Sequence, residues 1–513
     1  MTARQTPIAV TDTGPIRGII DANIVVFKGI PYGADTAKRR FLPPQKPTAW
    51  RDVLDCLEFG PKSPQPPETG IYGLLHDSTA SENCLVLNVW TPALHDDIKR
   101  PVMVWLHGGG FFSFSGATAF SDGVRLATRG DVVLVTLNHR LGVLGFTHLE
   151  EHLGKQYAES GNAGLHDIVL ALQWVRNNIT EFGGDPNNVT IFGESGGGAK
   201  VSALMAVPGA KNLFHKAIVQ SGSVLRMREK QAAKRVTDDY LDALDLSITR
   251  AAEMTTMPLG QLMAPSMTYS FDQLMNMSPV VGGEILPRQP FDPDAPEVSA
   301  AVPMLIGSCH DESTLMYGLR DPSLFELTWE KLPRYLRYWI PGTDPELIIN
   351  AYRENHPSYT ASDIFFGATC DFGIFRGAIT QAERKCRQSS ADVYMYEFDY
   401  ESARDGGKFK ATHADELVYV FDTLEGVVEE PSVEMLTLVN QMSESWIAFA
   451  RTGNPNNKCV PAWPRYDLVT RTTLAFNRET TAVSDPRSAE RKLFPKISTV
   501  IGPFEFLQGV PLR

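Results

Sequence analysis

The stretch that decides the fold is Val189-Thr190-Ile191-Phe192-Gly193-Glu194-Ser195-Gly196-Gly197, a short apolar run that leads into a G-x-S-x-G pentapeptide. The residues that follow, from Gly198 to Met205, are typical of a helix. A strand, a sharp turn and a helix in this order hold a serine oxygen in the open above a sheet, with glycines where side chains would collide. The pattern therefore predicts that Ser195 is a nucleophile.

A second glycine-rich segment lies upstream of the serine. His107-Gly108-Gly109-Gly110 follows the strand-like run Val102-Met103-Val104-Trp105-Leu106. An α/β-hydrolase has such a loop before its nucleophile, and its backbone N–H groups stabilise the oxygen that becomes negative during acyl transfer. A plain glycine-rich turn after a strand is the alternative, which the serine motif downstream makes the weaker interpretation.

An acid and a histidine should follow the serine in chain order. Asp311 and Glu312 come after the apolar run Val302-Pro303-Met304-Leu305-Ile306, and spacing alone does not separate these two carboxylates. Among the 11 histidines, chain order and a preceding glycine-containing loop favour His413.

Apolar runs alternate with helical segments along the chain, which indicates a large, mostly parallel central sheet flanked by helices, the α/β-hydrolase fold. The predicted strands are Val102–Leu106, Val132–Leu137, Val189–Phe192, Ala217–Val219, Met304–Ile306 and Val393–Phe398. No linker, repeat or low-complexity tract divides the sequence. We therefore expect residues 1–513 to form a single catalytic domain, with helical and loop insertions around the mouth of the site.

The composition excludes several classes of function. A net charge of −12 argues against nucleic-acid binding, for which a basic surface is expected. No apolar run approaches the ~18 residues that a membrane-spanning helix needs. The first residues, Met1 to Pro7, lack the apolar core of a signal peptide, so a cytoplasmic protein is expected, with a processed secreted form as the alternative. Oligomeric state stays open.

The chain resembles the type B carboxylesterases, the cholinesterase-like branch of the α/β-hydrolases. Besides the two motifs above, the matching blocks are Phe27–Tyr32, Glu82–Trp90, Asn138-His139-Arg140, Gly161–Leu165, Phe182–Pro186, Gln220–Ser223 and Gly453–Asn456 with Trp463-Pro464. The resemblance implies that Ser195 is the nucleophile, Glu312 the acid and His413 the base. It implies Gly109, Gly110 and Gly196 as oxyanion donors, and it favours Glu312 over Asp311.

Three positions depart from the pattern of this family. Gly196 stands where alanine is usual, Ser313 where glycine is usual, and Asn83 where aspartate is usual. None of these changes removes a chemical group that serine catalysis needs.

The expected reaction is hydrolysis of a small-molecule carboxylic ester through an acyl-enzyme, without a metal or an organic cofactor. Phe111, Phe112 and Phe114 are tentative walls of the acyl pocket. The same residues could act on a lactone, amide, carbamate or biosynthetic acyl intermediate. A catalytically silent binding protein on an esterase scaffold is a remote alternative, because this chain keeps all the triad residues.

The resemblance also predicts two ion pairs, Arg40 with Glu82 and Arg140 with Asp167. Secreted relatives commonly bridge the position of Cys84 to a cysteine whose place here is taken by Ser63. We therefore expect reduced cysteines, with a bridge between Cys56 and Cys84 as the alternative.

The short stretch after Ser63, Pro64 to His76, is interrupted by proline and glycine. A helix needs ~12 residues or more to be stable alone, so this stretch is a poor candidate for the amphipathic lid of a lipase. It favours dissolved esters with short-to-medium acyl groups, unless another loop acts as a lid.

A competing motif is His148-Leu149-Glu150-Glu151-His152, which matches the H-x-x-E-H signature of a zinc peptidase. No third ligand stands out downstream, so we interpret the segment as a surface helix of mixed charge. The segment from Gly193 to Lys200 is not a phosphate-binding loop, because Ala199 stands where that motif requires lysine.

Overall fold

Short runs rich in β-branched and aromatic residues form the strands of this protein. The computed structural model describes residues 6–67 and 78–494. The strands are β1 (Ile8–Thr11), β2 (Gly14–Arg17), β3 (Ile19–Asp21), β4 (Ile24–Pro31), β5 (Leu54–Asp55), β6 (Val86–Thr91), β7 (Arg100–Leu106), β8 (Val133–Leu137), β9 (Gly184–Glu194), β10 (Lys216–Gln220), β11 (Met304–Cys309), β12 (Val393–Phe398), β13 (Thr473–Phe476) and β14 (Thr481–Val483).

Within the described residues, 11 of these strands form one sheet in the order β14-β13-β12-β11-β10-β9-β7-β8-β6-β4-β3. The strands from β8 to β13 in this order pair in parallel. Antiparallel pairs close both ends, with β6, β4 and β3 at one end and β14 at the other. The remaining strands, β1, β2 and β5, form a separate small sheet.

Helices connect the strands and cover the sheet. They are α1 (Val124–Gly130), α2 (Gly142–Phe146), α3 (Glu150–Leu153), α4 (Ala163–Asn178), α5 (Gly196–Leu204), α6 (Lys230–Ala243), α7 (Leu259–Met263), α8 (Phe271–Met275), α9 (Glu312–Met316), α10 (Leu332–Trp339), α11 (Pro345–Asn355), α12 (Ala361–Cys370), α13 (Arg376–Arg387), α14 (Leu417–Val420), α15 (Val433–Thr452) and α16 (Ser488–Leu493). No helix in the described ranges is long and apolar enough to cross a membrane.

Strand β7 shows how the sheet builds two cores. Its residues alternate between the faces, as the geometry of a strand requires. Val102, Val104 and Leu106 belong to the core that also contains residues of α4 and α5. Met103 and Trp105 belong to the opposite core, which contains residues of α15. A strand that is buried on both faces is apolar at nearly every position, which is why this strand could be predicted from the sequence.

The predicted mostly parallel sheet with flanking helices is confirmed. All six predicted strands are present and lie side by side in its parallel part. The antiparallel edge strands were not among the predictions, because short strands with mixed polarity, such as β3 and β14, carry a weak pattern.

The parallel strands place the candidate site at one edge of the sheet. The carboxyl ends of parallel strands meet at the same edge, where an open α/β sheet binds its ligands. Ser195 follows β9, His107 follows β7 and Glu312 follows β11 by a few residues.

Candidate active site

Ser195 occupies the sharp turn between β9 and α5. Its backbone has φ 55° and ψ −123°, a region that non-glycine residues rarely adopt, and its N–H donates to the carbonyl of Gln220 at 2.9 Å. Close packing explains the glycines beside it, because a Cβ atom added at Gly197 would lie 1.9 Å from the carbonyl oxygen of Leu106. Ser195 itself is partly exposed. The strained turn therefore presents a serine side chain to solvent.

Glu312 is fully buried at the start of α9 and touches His413. Its Oε2 bonds Nδ1 of His413. Its Oε1 accepts hydrogen bonds from the backbone N–H of Cys309 at 2.7 Å and from the hydroxyl of Ser221 at 2.6 Å. Both oxygens are thus held in place, and one of them is directed at the imidazole.

Asp311, the rival carboxylate, faces another way. Its Oδ2 lies 3.1 Å from Nδ1 of His310. The geometry therefore brings Glu312, and not Asp311, to His413.

The second ring nitrogen of His413 also faces a carboxylate. Nε2 lies 3.2 Å from Oε1 of Glu194, the residue before the candidate nucleophile. Burial lowers the pKa of His413, but Glu194 and Glu312 outweigh burial and raise the pKa to about 10. Within the described residues, no hydrogen bond joins His413 to the Ser195 hydroxyl.

A cluster of buried carboxylates surrounds this histidine. Burial raises the pKa of Glu194 well above its usual range, and the charge of His413 opposes this effect. Burial and the charge of Glu312 raise the pKa of Glu416 to about 7. Glu416 is held by Gln220, whose side chain donates to its Oε1 at 3.2 Å. The surroundings of Glu194 and Glu416 thus favour the neutral, protonated form of both carboxyl groups.

The glycine-rich loop after β7 lies against the start of α5. Gly109 and Gly110 have φ values of 76° and 60°, in the left-handed region that glycine adopts without strain. Gly196 touches the loop closely, since a Cβ atom added there would lie 2.1 Å from the carbonyl oxygen of Gly110. In the described part of the chain, the N–H groups of these three glycines donate to no other group. The candidate oxyanion donors are therefore brought together and left available.

The three phenylalanines proposed for the pocket take different places. Phe111 is buried in the main core with its ring 5.2 Å from that of Phe146, a position that does not favour a role in the pocket. Phe112 packs edge-to-face on Phe271, with 5.6 Å between ring centroids, and Phe114 is partly exposed. A pocket role stays a prediction for Phe112 and Phe114.

The segment that resembled a zinc signature, His148 to His152, is only partly buried and makes other contacts. His148 precedes the short helix α3 and is buried, and Nε2 of His152 lies 2.7 Å from Oδ1 of Asp238. Across residues 6–67 and 78–494, no group of three or more His, Cys, Asp or Glu side chains could hold a metal ion. The interpretation as a surface helix was only partly right, because His148 is buried.

The two ion pairs predicted from the resemblance are confirmed. Arg40 and Glu82 form a bidentate pair, with Nε–Oε1 and Nη2–Oε2 distances of 2.5 and 2.8 Å. Arg140 and Asp167 do the same, at 2.8 Å from Nε to Oδ2 and 2.6 Å from Nη2 to Oδ1.

All six cysteines are free, including Cys56 and Cys84. Ser63, which stands where secreted relatives have the partner cysteine, accepts a hydrogen bond from the N–H of Leu141 at 3.1 Å. The stretch from Pro64 to His76, considered above as a lid, falls largely within residues 68–77, which lie outside the described residues.

Four residues near the site were not identified from the sequence as functional: Glu194, Lys200, Ser221 and Glu416. Glu194 and Ser221 belong to motifs that the analysis used, but a motif does not say where its other side chains point. The available signal for Glu194 and Ser221 was a polar residue directly at the end of an apolar, strand-like segment.

Comparison with known proteins agrees with this fold. The model of the carboxylesterase family matches residues 5–494. A para-nitrobenzyl esterase of Bacillus subtilis is 35% identical over 501 residues, which cover 95% of this chain and 98% of the relative. A phenmedipham hydrolase of Pseudarthrobacter oxydans is 30% identical, with 90% of this chain and 93% of the relative covered.

Among solved structures, a carboxylesterase of Geobacillus stearothermophilus matches with a TM-score of 0.84 and 36% identity, covering 95% of this chain and all (100%) of that one. The chain belongs to the carboxylesterase family. It has the α/β-hydrolase fold and is a carboxylic ester hydrolase.

Proposed function

We propose that the enzyme hydrolyses dissolved esters with short-to-medium acyl groups through a Ser195–His413–Glu312 triad and an acyl-enzyme. The observation that carries this proposal is the contact between Glu312 Oε2 and His413 Nδ1, beside a turn that holds Ser195 in a strained and partly exposed conformation. A buried carboxylate on Nδ1 fixes the tautomer of the imidazole and balances the charge that develops on it.

In the first half of the reaction, neutral His413 takes the proton of Ser195 while Oγ forms a bond to the ester carbonyl carbon. The carbonyl oxygen becomes negative and accepts hydrogen bonds from the N–H groups of Gly109, Gly110 and Gly196. The tetrahedral intermediate then breaks its bond to the alcohol oxygen, which takes the proton from His413. In the second half, water repeats these steps and releases the acid.

One movement precedes this chemistry. Nε2 of His413 must turn from the Glu194 carboxylate, 3.2 Å away, to the hydroxyl of Ser195. Catalytic hydrogen bonds are often long in a substrate-free site and tighten when substrate binds. A bound ester would bury His413 further, and burial favours the neutral form of this imidazole.

The substrate class is proposed on two grounds. The stretch after Ser63 contains too few apolar residues in sequence for an amphipathic lid. The relatives named above are an esterase of a para-nitrobenzyl ester and a hydrolase of phenmedipham, both small organic compounds by name. A panel of para-nitrobenzyl esters of graded acyl length is therefore the first set to assay.

Labelling by a fluorophosphonate tests the nucleophile. We expect mass spectrometry to find the adduct on Ser195, and Ser195→Ala to lose both labelling and ester hydrolysis. Ser223→Ala is the matched control, because Ser223 is a buried serine in the nearby Gln220–Ser223 block. An adduct on Ser221 or Ser223 in the wild-type enzyme would contradict the proposal.

The form of the substrate is tested with a sparingly soluble ester. We expect the rate to saturate smoothly as the ester concentration passes its solubility limit. A sharp increase in rate at that limit would mean interfacial activation, and the enzyme would then be a lipase.

A further inference from the structure

Lys200 is a fully buried lysine on the helix that follows the nucleophile. It lies in α5, with no exposed surface. Its Nζ donates a hydrogen bond of 2.9 Å to the backbone carbonyl of His107, the first residue of the oxyanion loop. The same ammonium lies 5.6 Å from the ring centroid of Phe111, at the end of that loop. Lys200 Nζ therefore contacts two residues, His107 and Phe111, between which Gly109 and Gly110 lie.

The side chain of Glu194 packs against the same loop. A Cβ atom added at Gly108 would lie 3.2 Å from Oε2 of Glu194, so the carboxylate packs directly on the loop backbone. Burial lowers the pKa of Lys200 to about 7, and the charge of Glu194 opposes this effect. The other titratable groups near Lys200 and Glu194 are Glu312, His413 and Glu416, together with His139, whose pKa is lowered by burial and by Lys200. Burial thus favours the neutral form of both side chains, and the attraction between their charges opposes this effect.

This lysine has fewer hydrogen bonds than a structural lysine at similar burial. Lys385, in α13, is also buried, and its ammonium donates to the carbonyls of Ser299 and Ala300 and to the side chain of Gln388, at 2.6, 2.7 and 3.1 Å. All three of its N–H groups are thus satisfied. Within the described residues, Lys200 has only the carbonyl of His107. Burying an ammonium with one acceptor is costly, and folding alone does not account for the residue.

We propose that Lys200 is a positioning residue for ester hydrolysis: its Nζ donates a hydrogen bond to the His107 carbonyl and so fixes the orientation of the oxyanion loop. The proposal rests on the proposed function, since it concerns the oxyanion donors of that mechanism. A fixed carbonyl at the start of the loop restrains the peptide planes that follow, so the N–H groups of Gly109 and Gly110 stay aimed at one point. Donors that need no reorganisation are the ones that accelerate the reaction.

The test compares Lys200→Met with Lys385→Met. Methionine keeps an unbranched apolar chain and removes both the charge and the donor. We expect Lys200→Met to lower kcat by about 10- to 100-fold, less than the ~10²–10³-fold loss of a whole oxyanion donor. KM should change little, because the oxyanion forms only after the substrate has bound. Lys385→Met should keep the wild-type kcat even where its melting temperature falls.

A transition-state analogue separates positioning from a loss of fold. The affinity for a trifluoromethyl ketone, which forms an oxyanion on Ser195, should fall in parallel with kcat in Lys200→Met. The melting temperature of each variant shows that the measured protein is folded, and Lys200→Leu replaces the methionine variant if that one does not fold.

Wild-type kcat in folded Lys200→Met or Lys200→Leu overturns the proposal, as does an equal loss in Lys385→Met. Ester hydrolysis that survives in Ser195→Ala would instead contradict the proposed function itself. The two failures are therefore distinguishable.

Discussion

The carboxylate of Glu194 lies 3.2 Å from Nε2 of His413, while Glu312 contacts Nδ1 of the same ring. Both ring nitrogens of this histidine thus face an acid. Such an arrangement stabilises the imidazolium, whereas a general base must be neutral to accept a proton. Glu194 therefore competes with Ser195 for the nitrogen that catalysis needs, and the protonation of this pair should govern the pH range of activity.

The first prediction concerns this pH range. Glu194 and Glu312 raise the pKa of His413 to about 10, so the imidazole loses its proton only as the pH rises. Because the neutral form is the active one, kcat/KM of the wild-type enzyme should keep increasing above neutral pH. Glu194→Gln removes the largest of the charge effects that raise the pKa of His413, so the rising part of the profile should move to lower pH. The measurement is kcat/KM against pH with one soluble ester.

Glu430→Gln is the control for this experiment, because Glu430 is exposed and forms no hydrogen bond or ion pair with the described residues. Its profile should match that of the wild-type enzyme. A Glu194→Gln profile that stays in place, or moves to higher pH, would show that this carboxylate does not set the pKa of His413.

The second prediction separates the two neighbouring acids. Glu312→Gln should fold but lose about 10²–10⁴-fold in kcat, because an amide can hold the wrong imidazole tautomer and cannot balance the imidazolium. Asp311→Asn should keep most of the activity, since Asp311 faces His310 at 3.1 Å. Steady-state kinetics of both variants show which carboxylate is the catalytic acid. A larger loss of kcat in Asp311→Asn would mean that Asp311 has this role.

Much of the fold could be predicted because its central strands are buried on both faces. A segment such as Val102 to Leu106 is apolar at every position, and its type does not depend on distant residues. The turn at Ser195 is similarly local, because glycines at 193 and 197 are needed wherever a strand must reverse so sharply into a helix.

Contacts between distant segments could not be predicted in the same way. Ser221 and Glu312 are 91 positions apart and meet through a hydrogen bond of 2.6 Å. Lys200 bonds the carbonyl of His107, 93 positions away, and no local pattern distinguishes it from a surface lysine of a helix. The sequence therefore indicated the residues that the chemistry requires, but not those that hold them in place.

The third prediction concerns the buried ion pair of Arg140 and Asp167, whose side chains are 1% and 0% exposed. Asp167→Asn leaves the guanidinium buried without a counter-charge, and such a loss typically destabilises a protein by about 3–5 kcal/mol. The exposed pair of Arg17 and Asp55 is the control, and Asp55→Asn should cost about 0–1 kcal/mol. Urea unfolding measures both changes, and equal effects would contradict the structural role of the buried pair.

The fourth prediction concerns the thiols. Burial raises the pKa of Cys56 and of Cys84 to about 12, so both should resist alkylation in the folded protein. The partly exposed Cys386 and Cys459 should react first. After unfolding without a reductant, all six cysteines should be alkylated. A peptide that links Cys56 to Cys84 would instead reveal a disulfide and revive the alternative of a secreted protein.

The fifth prediction concerns Gly196, which stands where the family usually has alanine. A methyl group at this position would lie 2.1 Å from the carbonyl oxygen of Gly110, closer than any real contact, so the oxyanion loop must move away. Gly196→Ala should therefore lower kcat by about 10-fold or more while KM changes little, because the displaced N–H groups act mainly on the transition state.

Gly260→Ala is the matched control for Gly196→Ala, since an added Cβ at Gly260, in helix α7, meets nothing within 4 Å. That variant should keep full activity and melt at the same or a slightly higher temperature, because alanine is the better helix former. Undiminished kcat in Gly196→Ala would show that the loop tolerates the methyl group.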